Sequence, residues 1–397
     1  MTDRGYLLHK SRPSAEAALA NLFGAARSMP YAVGQQPGVR EGTVVVVGAG
    51  PSLDATIGEL PRLRRMGASI FTVNTALPKV AAVLEPDVVI AREIVDVSQH
   101  MAHPARLRVL DIGANARVWE AAQRAGPCAW FVPGVDQYFD LAVELGVRPL
   151  FGGVAAVTSA VALAYEWGAR RIVLMGCDLA LGDDGRSYAD GTAFGGQRAT
   201  IGDDGMAVNG GEGFAAKQAA HEAAGIKAYP EREVTCVVER WGGGAPLRTT
   251  TQWIDQVSWL ANFAGRHPEV TCVDATGGGA RKGGWIETEA RALHFDSAPV
   301  MAHMVEPRDH GEKLRRYFGE QVERLGAIST LTMHPLGRPL TVPGVLRGVD
   351  FVELVAARGV ALACEQDVPV REKIAAVYGD DGAFCEAAGV VLERVND

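Results

Sequence analysis

The sequence predicts an α/β protein built on a doubly wound, mostly parallel, Rossmann-like sheet. Three observations support this prediction. From residue 43 onward, short apolar runs alternate with segments of helical periodicity. Several of the runs are apolar without interruption, as expected for strands that are covered on both faces. The helical segments between them imply crossover connections and therefore parallel strands. An N-terminal helical segment and a C-terminal helical bundle are predicted to flank the sheet.

The composition is that of an ordinary globular protein. The 397 residues are 48% hydrophobic and 22% charged, and the formal net charge is -8. This length allows one large domain with an appendage, or two domains. The negative charge argues against a protein that coats nucleic acid by neutralising phosphates. The negative net charge is still compatible with a small anionic ligand bound at a local site.

The cysteines and the N-terminus indicate a reducing compartment. Six cysteines are scattered without a C-x-x-C pair, which argues against a zinc site or a disulfide framework. Reduced thiols are typical of cytosolic enzymes. The N-terminus lacks the apolar core of a signal peptide, and no run approaches the roughly 20 apolar residues that span a bilayer. We therefore expect a cytoplasmic protein without a membrane span.

The predicted elements follow the chain in a simple order. Residues 14–27 predict a helix, and a Pro/Gly/Gln-rich stretch up to residue 41 predicts a linker. The predicted strands are residues 43–50, 69–75, 86–92, 107–112, 128–133, 170–179 and 269–276. Beyond the last strand, four amphipathic segments predict a helical bundle. The predicted domains are residues 1–41, 42–297 and 298–397.

The first predicted strand leads into a glycine turn, Gly48 to Gly50, followed by Pro51 and Ser52. Glycine lets the backbone approach a ligand closely, and a helix start offers N–H groups to an anion. Proline suits the first helical turn, and the serine hydroxyl can donate to a phosphate. Because Leu53 replaces the third glycine of G-x-G-x-x-G, NAD is not expected. We predict a nucleotide-binding loop; the alternative is a turn that only joins strand to helix.

Polar residues follow two further predicted strands. Asn74 would lie beside the glycine turn, because open parallel sheets bind ligands beyond the carboxyl ends of their strands. Its amide suits a ribose or a base edge, and the alternative is a helix N-cap. Asp178 ends a later strand, behind a predicted helix that contains Thr158 and Ser159. Its carboxylate could orient a hydroxyl, bind a metal or act as a base, and the alternative is a cap of the next turn.

Residues 182–213 form a long Gly- and Asp-rich segment that carries Ser187, Tyr188 and Asp190. The segment contains GDDG twice and has little apolar patterning. Loops of this length in compact domains are usually functional or mobile. We predict a mobile lid that closes over a ligand and excludes water. The stretch RWGGGAPLR at 240–248 is predicted to be a surface loop, with a second lid as the alternative.

The order of these motifs resembles a known family. GAGPSL is followed by N-x-A-L, then by S-A-x-A-L-A-x-x-x-G-A-x-x-I-x-L-x-G-x-D-L-A, and then by G-x-S-Y-A-x-G-T. A threonine-led helix and an acidic glycine turn come after them. Over about residues 42–287, this order is similar to that of the motility-associated-factor glycosyltransferases, which share a domain with 6-hydroxymethylpterin pyrophosphokinases. It is also similar to that of bacterial sialyltransferases that use CMP-sialic acid.

The resemblance implies transfer of a nonulosonic sugar, such as pseudaminic or legionaminic acid, from a CMP donor to a hydroxyl group. Serine and threonine hydroxyls of flagellin are the acceptors in the family. The residues it implies for nucleotide binding are Gly48, Gly50, Pro51, Ser52, Asn74, Thr158 and Ser159. It implies that the catalytic residues facing sugar or acceptor are Asp178, Asp190, Ser187 and Tyr188. Thr251, Gly277 and Gly278 would contact the substrate.

The sequence departs from the family pattern in three places. Cys177-Asp178 and Ser187-Tyr188-Ala189 stand where the family often has Gln-Asp and Ser-His-Ala. The stretch after Pro86-Asp87 lacks a common aspartate, and no histidine clearly takes the place of the sialyltransferases' base. The first two departures leave the acceptor and sugar open, and the third leaves the base unassigned.

Two alternatives to sugar transfer stay open. The first is a 6-hydroxymethylpterin pyrophosphokinase, which needs Mg²⁺ held by paired carboxylates. Asp178 with Asp190 could supply that pair. The second is a non-catalytic nucleotide-binding protein. Magnesium is the one candidate cofactor, and no metal site is predicted from the spacing of ligands.

Overall fold

The computed structural model describes residues 32–33, 42–93, 95–134, 142–143, 145–153, 155–223, 229–297, 299–300, 304–305 and 313. The predicted N-terminal helix lies outside these residues, and so does the predicted C-terminal bundle apart from Lys313. In the part described, no helix is long and apolar enough to cross a membrane.

Fifteen strands form one large and two small sheets within the described residues. In chain order they are β1 (Ala32–Val33), β2 (Gly42–Val47), β3 (Ser69–Val73), β4 (Val88–Ala91), β5 (Leu107–Asp111), β6 (Cys128–Phe131), β7 (Ala169–Met175), β8 (Arg198–Ile201), β9 (Ala207–Gly210), β10 (Arg232–Glu233), β11 (Thr235–Val238), β12 (Leu247–Thr250), β13 (Thr271–Asp274), β14 (Ile286–Glu287) and β15 (Met304–Val305).

Ten of these strands form the central sheet, in the order β14-β13-β7-β2-β3-β4-β5-β6-β1-β15. Every neighbouring pair is parallel except β1 with β15. All seven strands predicted from the sequence lie in this sheet, so the predicted α/β fold with a mostly parallel sheet is confirmed. β10-β9-β8 form a separate antiparallel sheet, and β11 pairs with β12 in another.

Helices connect the strands and cover the sheet. They are α1 (Leu53–Thr56), α2 (Leu60–Arg65), α3 (Leu77–Ala81), α4 (Ala116–Ala125), α5 (Ala156–Glu166), α6 (Glu212–Ala223) and α7 (Thr251–Arg266). Short 3-10 turns lie at Ile57–Glu59, Ser98–Ala102 and Ala290–Ala292.

The core is centred on β2 and α5. All four valines of β2 are fully buried, because β2 lies between β7 and β3 with both faces covered. Residues 157–164 of α5 are all buried. A helix that is apolar on every side can only be stable inside the core, and α5 packs against β2, β3, β4 and β7.

The strand order creates a crevice at the carboxyl ends of the central strands β2 and β7. From β2 the chain adds β3, β4, β5 and β6 on one side, and it then returns through α5 to β7 on the other side of β2. The connections after β2 and β7 therefore diverge. Such a topological switch point is where open parallel sheets bind ligands, beyond the carboxyl ends of the strands.

The sheet extends beyond the predicted domain boundaries at both ends. Ala32 was expected in a linker, but it pairs with Trp130 of β6 and with Val305 of β15. Met304–Val305 was expected in a helical domain and forms the edge strand. Two-residue strands are too short to show a period in the sequence, and the pairing comes from the open sheet edge. The division into three domains otherwise stays a prediction.

The segment 182–213 is packed, in contrast to the predicted mobile lid. The Ala189 N–H donates to the Ala49 carbonyl after β2 (2.9 Å), and the Ala193 N–H donates to the Thr75 carbonyl after β3 (2.9 Å). The segment continues into the β8–β9 hairpin and the start of α6. Its order comes from these long-range backbone contacts, which a search for apolar periodicity does not detect.

Candidate functional site

The turns after β2 and β7 lie in direct contact at the switch point. The Gly48 N–H donates to the Met175 carbonyl (2.8 Å), and the Gly50 N–H donates to the Gly176 carbonyl (2.7 Å). A Cβ atom at Gly48 would lie 2.6 Å from the Gly176 oxygen. The two glycines are therefore required by contact between two protein turns, whether or not a ligand approaches them.

The carboxylate of Asp178 lies at the start of α1, where the sequence predicts that an anionic ligand binds. Its Oδ1 accepts from the Ser52 backbone N–H (3.1 Å), and its Oδ2 accepts from the Ser52 hydroxyl (2.7 Å). Pro51 is buried beside this contact. α1 has only four residues, and the first N–H group at its start is bound to Asp178. The expectation of free N–H groups at this helix start is therefore wrong for this state of the protein.

A glycine turn after β13 closes over Asp178. The Ala280 N–H donates to the Asp178 carbonyl (2.7 Å), and a Cβ atom at Gly279 would overlap the Asp178 backbone. Leu179 has a positive φ of 50°, a conformation that is unusual for a residue other than glycine. Asp178 is only 5% exposed. It stabilises the junction of three turns, and the alternative of capping its own next turn is wrong.

Burial raises the pKa of Asp178 to about 6, against the lowering effects of the Ser52 hydrogen bond and the Lys282 charge. Lys282 is itself fully buried, with Nζ 3.1 Å from Oδ2 of the buried Asp274. These two atoms lack the alignment of a hydrogen bond. We regard the contact as an ion pair, because charge attraction depends on distance rather than alignment.

Asn74 pairs with a carboxylate from the next strand connection. Its Nδ2 donates to Oε1 of Glu93 (2.9 Å), and Asn74 is buried after β3. The N-cap of α3 is Ala76, so the alternative of Asn74 as a helix cap is wrong. The pair places an amide and a carboxylate at the carboxyl edge of the sheet, next to the glycine turn.

Thr158 and Ser159 lie beside an arginine that follows β4. Arg92 Nε donates to Asp111 Oδ2 (3.0 Å), and its NH1 donates to the Ser159 hydroxyl (3.2 Å). Burial raises the pKa of Asp111. The Thr158 hydroxyl donates to the Ala155 carbonyl (3.0 Å). Both hydroxyls thus have protein partners, and the nearest cation is Arg92.

The three polar residues of the packed segment have different environments. The Ser187 hydroxyl is buried and has no hydrogen-bond partner among the described residues. The Tyr188 hydroxyl lies 3.4 Å from Lys217 Nζ. Asp190 is 73% exposed and lies 3.6 Å from Arg186. The structure therefore places Ser187 in the interior, Tyr188 half-buried and Asp190 at the surface.

The proposed carboxylate pair of Asp178 and Asp190 is not formed. Asp178 is bound to Ser52, whereas Asp190 contacts Arg186 and accepts from Lys79 through its carbonyl (2.7 Å). Within the described ranges, no group of three His, Cys, Asp or Glu side chains could hold a metal ion.

The predicted substrate residues lie on two elements. A Cβ atom at Gly278 would lie 3.5 Å from the Ser52 Cβ, and one at Gly277 would lie 3.6 Å from the Thr56 Cγ2. Both glycines thus adjoin the turn after β2. Thr251 opens α7 behind the N-cap residue Thr250. The glycines, Ser52 and Asp178 form one cluster, which the sequence order alone does not bring together.

Several polar residues of this edge were missed by sequence reasoning: Arg92, Glu93, Asp111, Lys217, Lys282 and His100. Arg92 and Asp111 could have been found, because each lies at the end of a predicted strand. His100 is buried after β4, and burial lowers its pKa to about 4. Its ring lies 5.3 Å from that of Phe194 in the packed segment. The lysines lie outside the predicted strand ends, so no such signal marked them.

Residues 17–184 match the family model described as 6-hydroxymethylpterin diphosphokinase MptE-like. This part of the chain is therefore similar to MptE-like domains. Its fold is similar to the structure of the MAf glycosyltransferase from Magnetospirillum magneticum AMB-1, with a TM-score of 0.61 and 15% sequence identity. That likeness covers 98% of this chain and 60% of the glycosyltransferase. No curated protein matches the chain.

The comparisons confirm the resemblance stated from the motifs. The matched residues include the GAGPSL turn, α5 and β7, so the similarity covers most of the switch-point crevice. At this level of identity, the likeness to the MAf glycosyltransferase shows a shared fold. This chain spans about 60% of the length of that protein.

Proposed function

We propose that this protein is a glycosyltransferase that moves a sugar from a nucleotide donor to a hydroxyl acceptor. The observation that carries the proposal is the extent of the fold likeness. The MAf glycosyltransferase aligns with 98% of this chain, whereas the MptE-like family model covers residues 17–184 alone. A shared fold does not by itself determine an activity, so the residues of the crevice have to support it.

The donor in this proposal is a CMP-activated nonulosonic acid, and the acceptor is a serine or threonine hydroxyl, as in flagellin. The order of the GAGPSL, N-x-A-L and S-Y-A motifs supports this donor class. Asn74 and Glu93 can hydrogen-bond a ribose or a base at the edge of the crevice. Ser52 offers an N–H and a hydroxyl to a phosphate.

The bond between the anomeric carbon and CMP breaks as the acceptor oxygen attacks, and the acceptor proton passes to a base. In the structure, Asp178 accepts both hydrogen bonds from Ser52. In this proposal the donor phosphate takes over those donors and releases the Asp178 carboxylate. Burial raises the pKa of the Asp178 carboxyl above its usual range, which suits a general base near neutral pH. Arg92, which follows β4, and Lys217, beside Tyr188, are cations at this end of the sheet that can stabilise the departing CMP.

A pyrophosphokinase is the second candidate, favoured by the description of the matching family model. It needs carboxylates that are free to hold Mg²⁺. The carboxylates at this edge already have partners: Asp178 with Ser52, Asp274 with Lys282, Asp111 with Arg92 and Glu93 with Asn74. This pairing supports the glycosyltransferase over the kinase. A non-catalytic nucleotide-binding protein is the remaining alternative.

The test is to incubate the protein with CMP-N-acetylneuraminic, CMP-pseudaminic and CMP-legionaminic acids, with and without serine- and threonine-containing peptides. We expect acceptor-dependent release of CMP, measured by chromatography. A parallel reaction with ATP, Mg²⁺ and 6-hydroxymethylpterin reports AMP release. AMP without CMP would establish the kinase, and neither product would leave a binding protein. Ser52→Ala should lower CMP release strongly, whereas Ser258→Ala, at an exposed position of α7, should not.

A further inference from the structure

A half-buried lysine of α6 lies among aromatic rings rather than carboxylates. Lys217 Nζ is 3.7 Å from the centroid of the Tyr229 ring and 5.6 Å from that of Phe194. It lies 3.4 Å from the Tyr188 hydroxyl. Among the described residues, no Asp or Glu forms an ion pair with it; Glu233, the acidic group near Tyr229, accepts from Asn209 instead (2.8 Å).

This lysine adjoins the switch-point crevice. Tyr188 and Phe194, whose rings contact it, belong to the part of the chain that crosses the carboxyl ends of β2 and β3. That part is fixed by the hydrogen bonds to the Ala49 and Thr75 carbonyls. These hydrogen bonds place the two rings, and the ammonium group that contacts them, beside the connections after β2 and β3.

Two buried polar atoms beside the same rings have no hydrogen-bond partner within the described residues. One is the hydroxyl of Ser187, the neighbour of Tyr188, and the other is Nδ1 of His100, whose ring contacts Phe194. Buried polar atoms in native proteins almost always have a partner, from the protein, water or a ligand. Together with Lys217, these two atoms are a second, independent observation that points to a polar ligand at this site.

The chemistry of the cluster selects an anion. A lysine ammonium has three donors, and Tyr188 and the face of Tyr229 occupy two of them. Within the described ranges, the groups that face this charge are the aromatic rings and the Tyr188 hydroxyl, and none of them is a carboxylate. We propose that Lys217 and Tyr188 form a subsite for an anionic oxygen group, either the carboxylate or the phosphate of the donor. The assignment to the donor rests on the proposed function, whereas the anion site does not.

The experiment measures binding to the full-length protein by calorimetry, with inorganic phosphate, N-acetylneuraminic acid, CMP and CMP-N-acetylneuraminic acid as probes. Lys217→Met should weaken binding of at least one probe about tenfold or more, the usual effect of losing one charged contact. Lys217→Arg should retain most of it. Arg124→Met is the control, because Arg124 is a cation of α4 that is 73% exposed and whose partner Glu120 lies on the same helix.

The probes separate the two sources of the anion. Weaker binding of both sialic acid probes, with CMP unaffected, assigns the carboxylate; weaker binding of CMP assigns the phosphate. If wild type binds phosphate or the free sugar through Lys217 but never CMP, the anion site stands and the proposed function fails. If Lys217→Met binds every probe as wild type does, or wild type binds none, the anion site is overturned.

A second measurement uses only wild type and does not depend on the folding of variants. Reductive methylation of lysines, read by mass spectrometry of peptides, should modify Lys217 more slowly when the probe that binds is present. Lys79 should react at the same rate with and without the probe. Equal modification of Lys217 in both conditions would overturn the proposal.

Discussion

At the scale of single residues, Gly50 in the turn after β2 and Asp178 determine each other's position. A methyl group at Gly50 would overlap the Asp178 side chain from its carboxylate back to its Cβ. We expect Gly50→Ala to lower the free energy of unfolding by about 1–3 kcal/mol, as overpacking does. Gly58→Ala is the control, because a Cβ atom there meets nothing within 4 Å. It should be neutral or slightly stabilising. Urea unfolding of both variants is the measurement; equal stabilities would show that the turns separate easily.

The buried Asp178 also makes a prediction about pH. Its pKa is about 6 in the folded protein, against 3.8 for the free side chain, so the folded state holds the proton more tightly. The ionised carboxylate is less favourable in the folded protein than in the unfolded chain. This loss of folding stability is absent below pH 3.8 and complete above pH 6. It lowers the free energy of unfolding of wild type by roughly 3 kcal/mol across this range. Asp178→Asn should remove this fall. Denaturant curves for both proteins between pH 4 and 7 test it, and parallel pH profiles would contradict it.

At the scale of elements, the two GDDG copies are the same turn used twice. In each, the last glycine donates to the first glycine's carbonyl, at 2.9 Å for Gly185 and 2.8 Å for Gly205. Both glycines have positive φ, 77° and 75°. Asp184 and Asp204 each accept from the backbone N–H two residues later, at 3.1 Å. The Gly- and Asp-rich composition thus encodes two tight turns. Tight turns and mobile loops favour the same residues, so composition alone does not distinguish them.

Ion pairs attach this segment to the helices after β2 and β3. Asp54 binds Arg186 (2.6 Å) and Lys79 (2.8 Å), and the Lys79 ammonium also donates to the Asp190 carbonyl. Asp54→Asn should weaken this attachment by about 1 kcal/mol and raise the rate of chymotrypsin cleavage within 187–195 about fivefold. Glu59→Gln is the matched control, because Glu59 binds only its helical neighbour Arg62 among the described residues (2.7 Å). Mass spectrometry locates the cuts. Similar rates in both variants would mean that these ion pairs do not hold the segment.

At the scale of the whole molecule, the central sheet includes strands from outside the region with the strong strand signal. Ala32 is 1% exposed and pairs with β6. Ala32→Asp should lower the free energy of unfolding by about 2 kcal/mol or more, because it buries a charge without a partner. Val83→Asp, at a position 41% exposed, should change it little. If thermal unfolding finds the two variants equally stable, residues 32–33 behave as the linker that composition predicted.

The main strands of the sheet and their parallel arrangement are predictable from local sequence patterns. The valine run of β2 and the apolar α5 are local signals, because burial on both faces leaves an uninterrupted apolar run. The turn after β2, the polar strand ends at Asn74 and Asp178, and the motif order were also readable locally. These local signals carry the family resemblance.

The partners of the polar groups depend on how the folded chain brings distant residues together. Ser52 and Asp178 are 126 residues apart in the chain, and nothing in either local pattern indicates that they bind each other. The same holds for Lys282 with Asp274 at the buried strand end and for Lys217 with Tyr188. Local sequence carries a signal for burial and for turns, because these repeat with the period of a helix or strand. A contact between two distant side chains has no period, so it is fixed only when the sheet order brings their strand ends together.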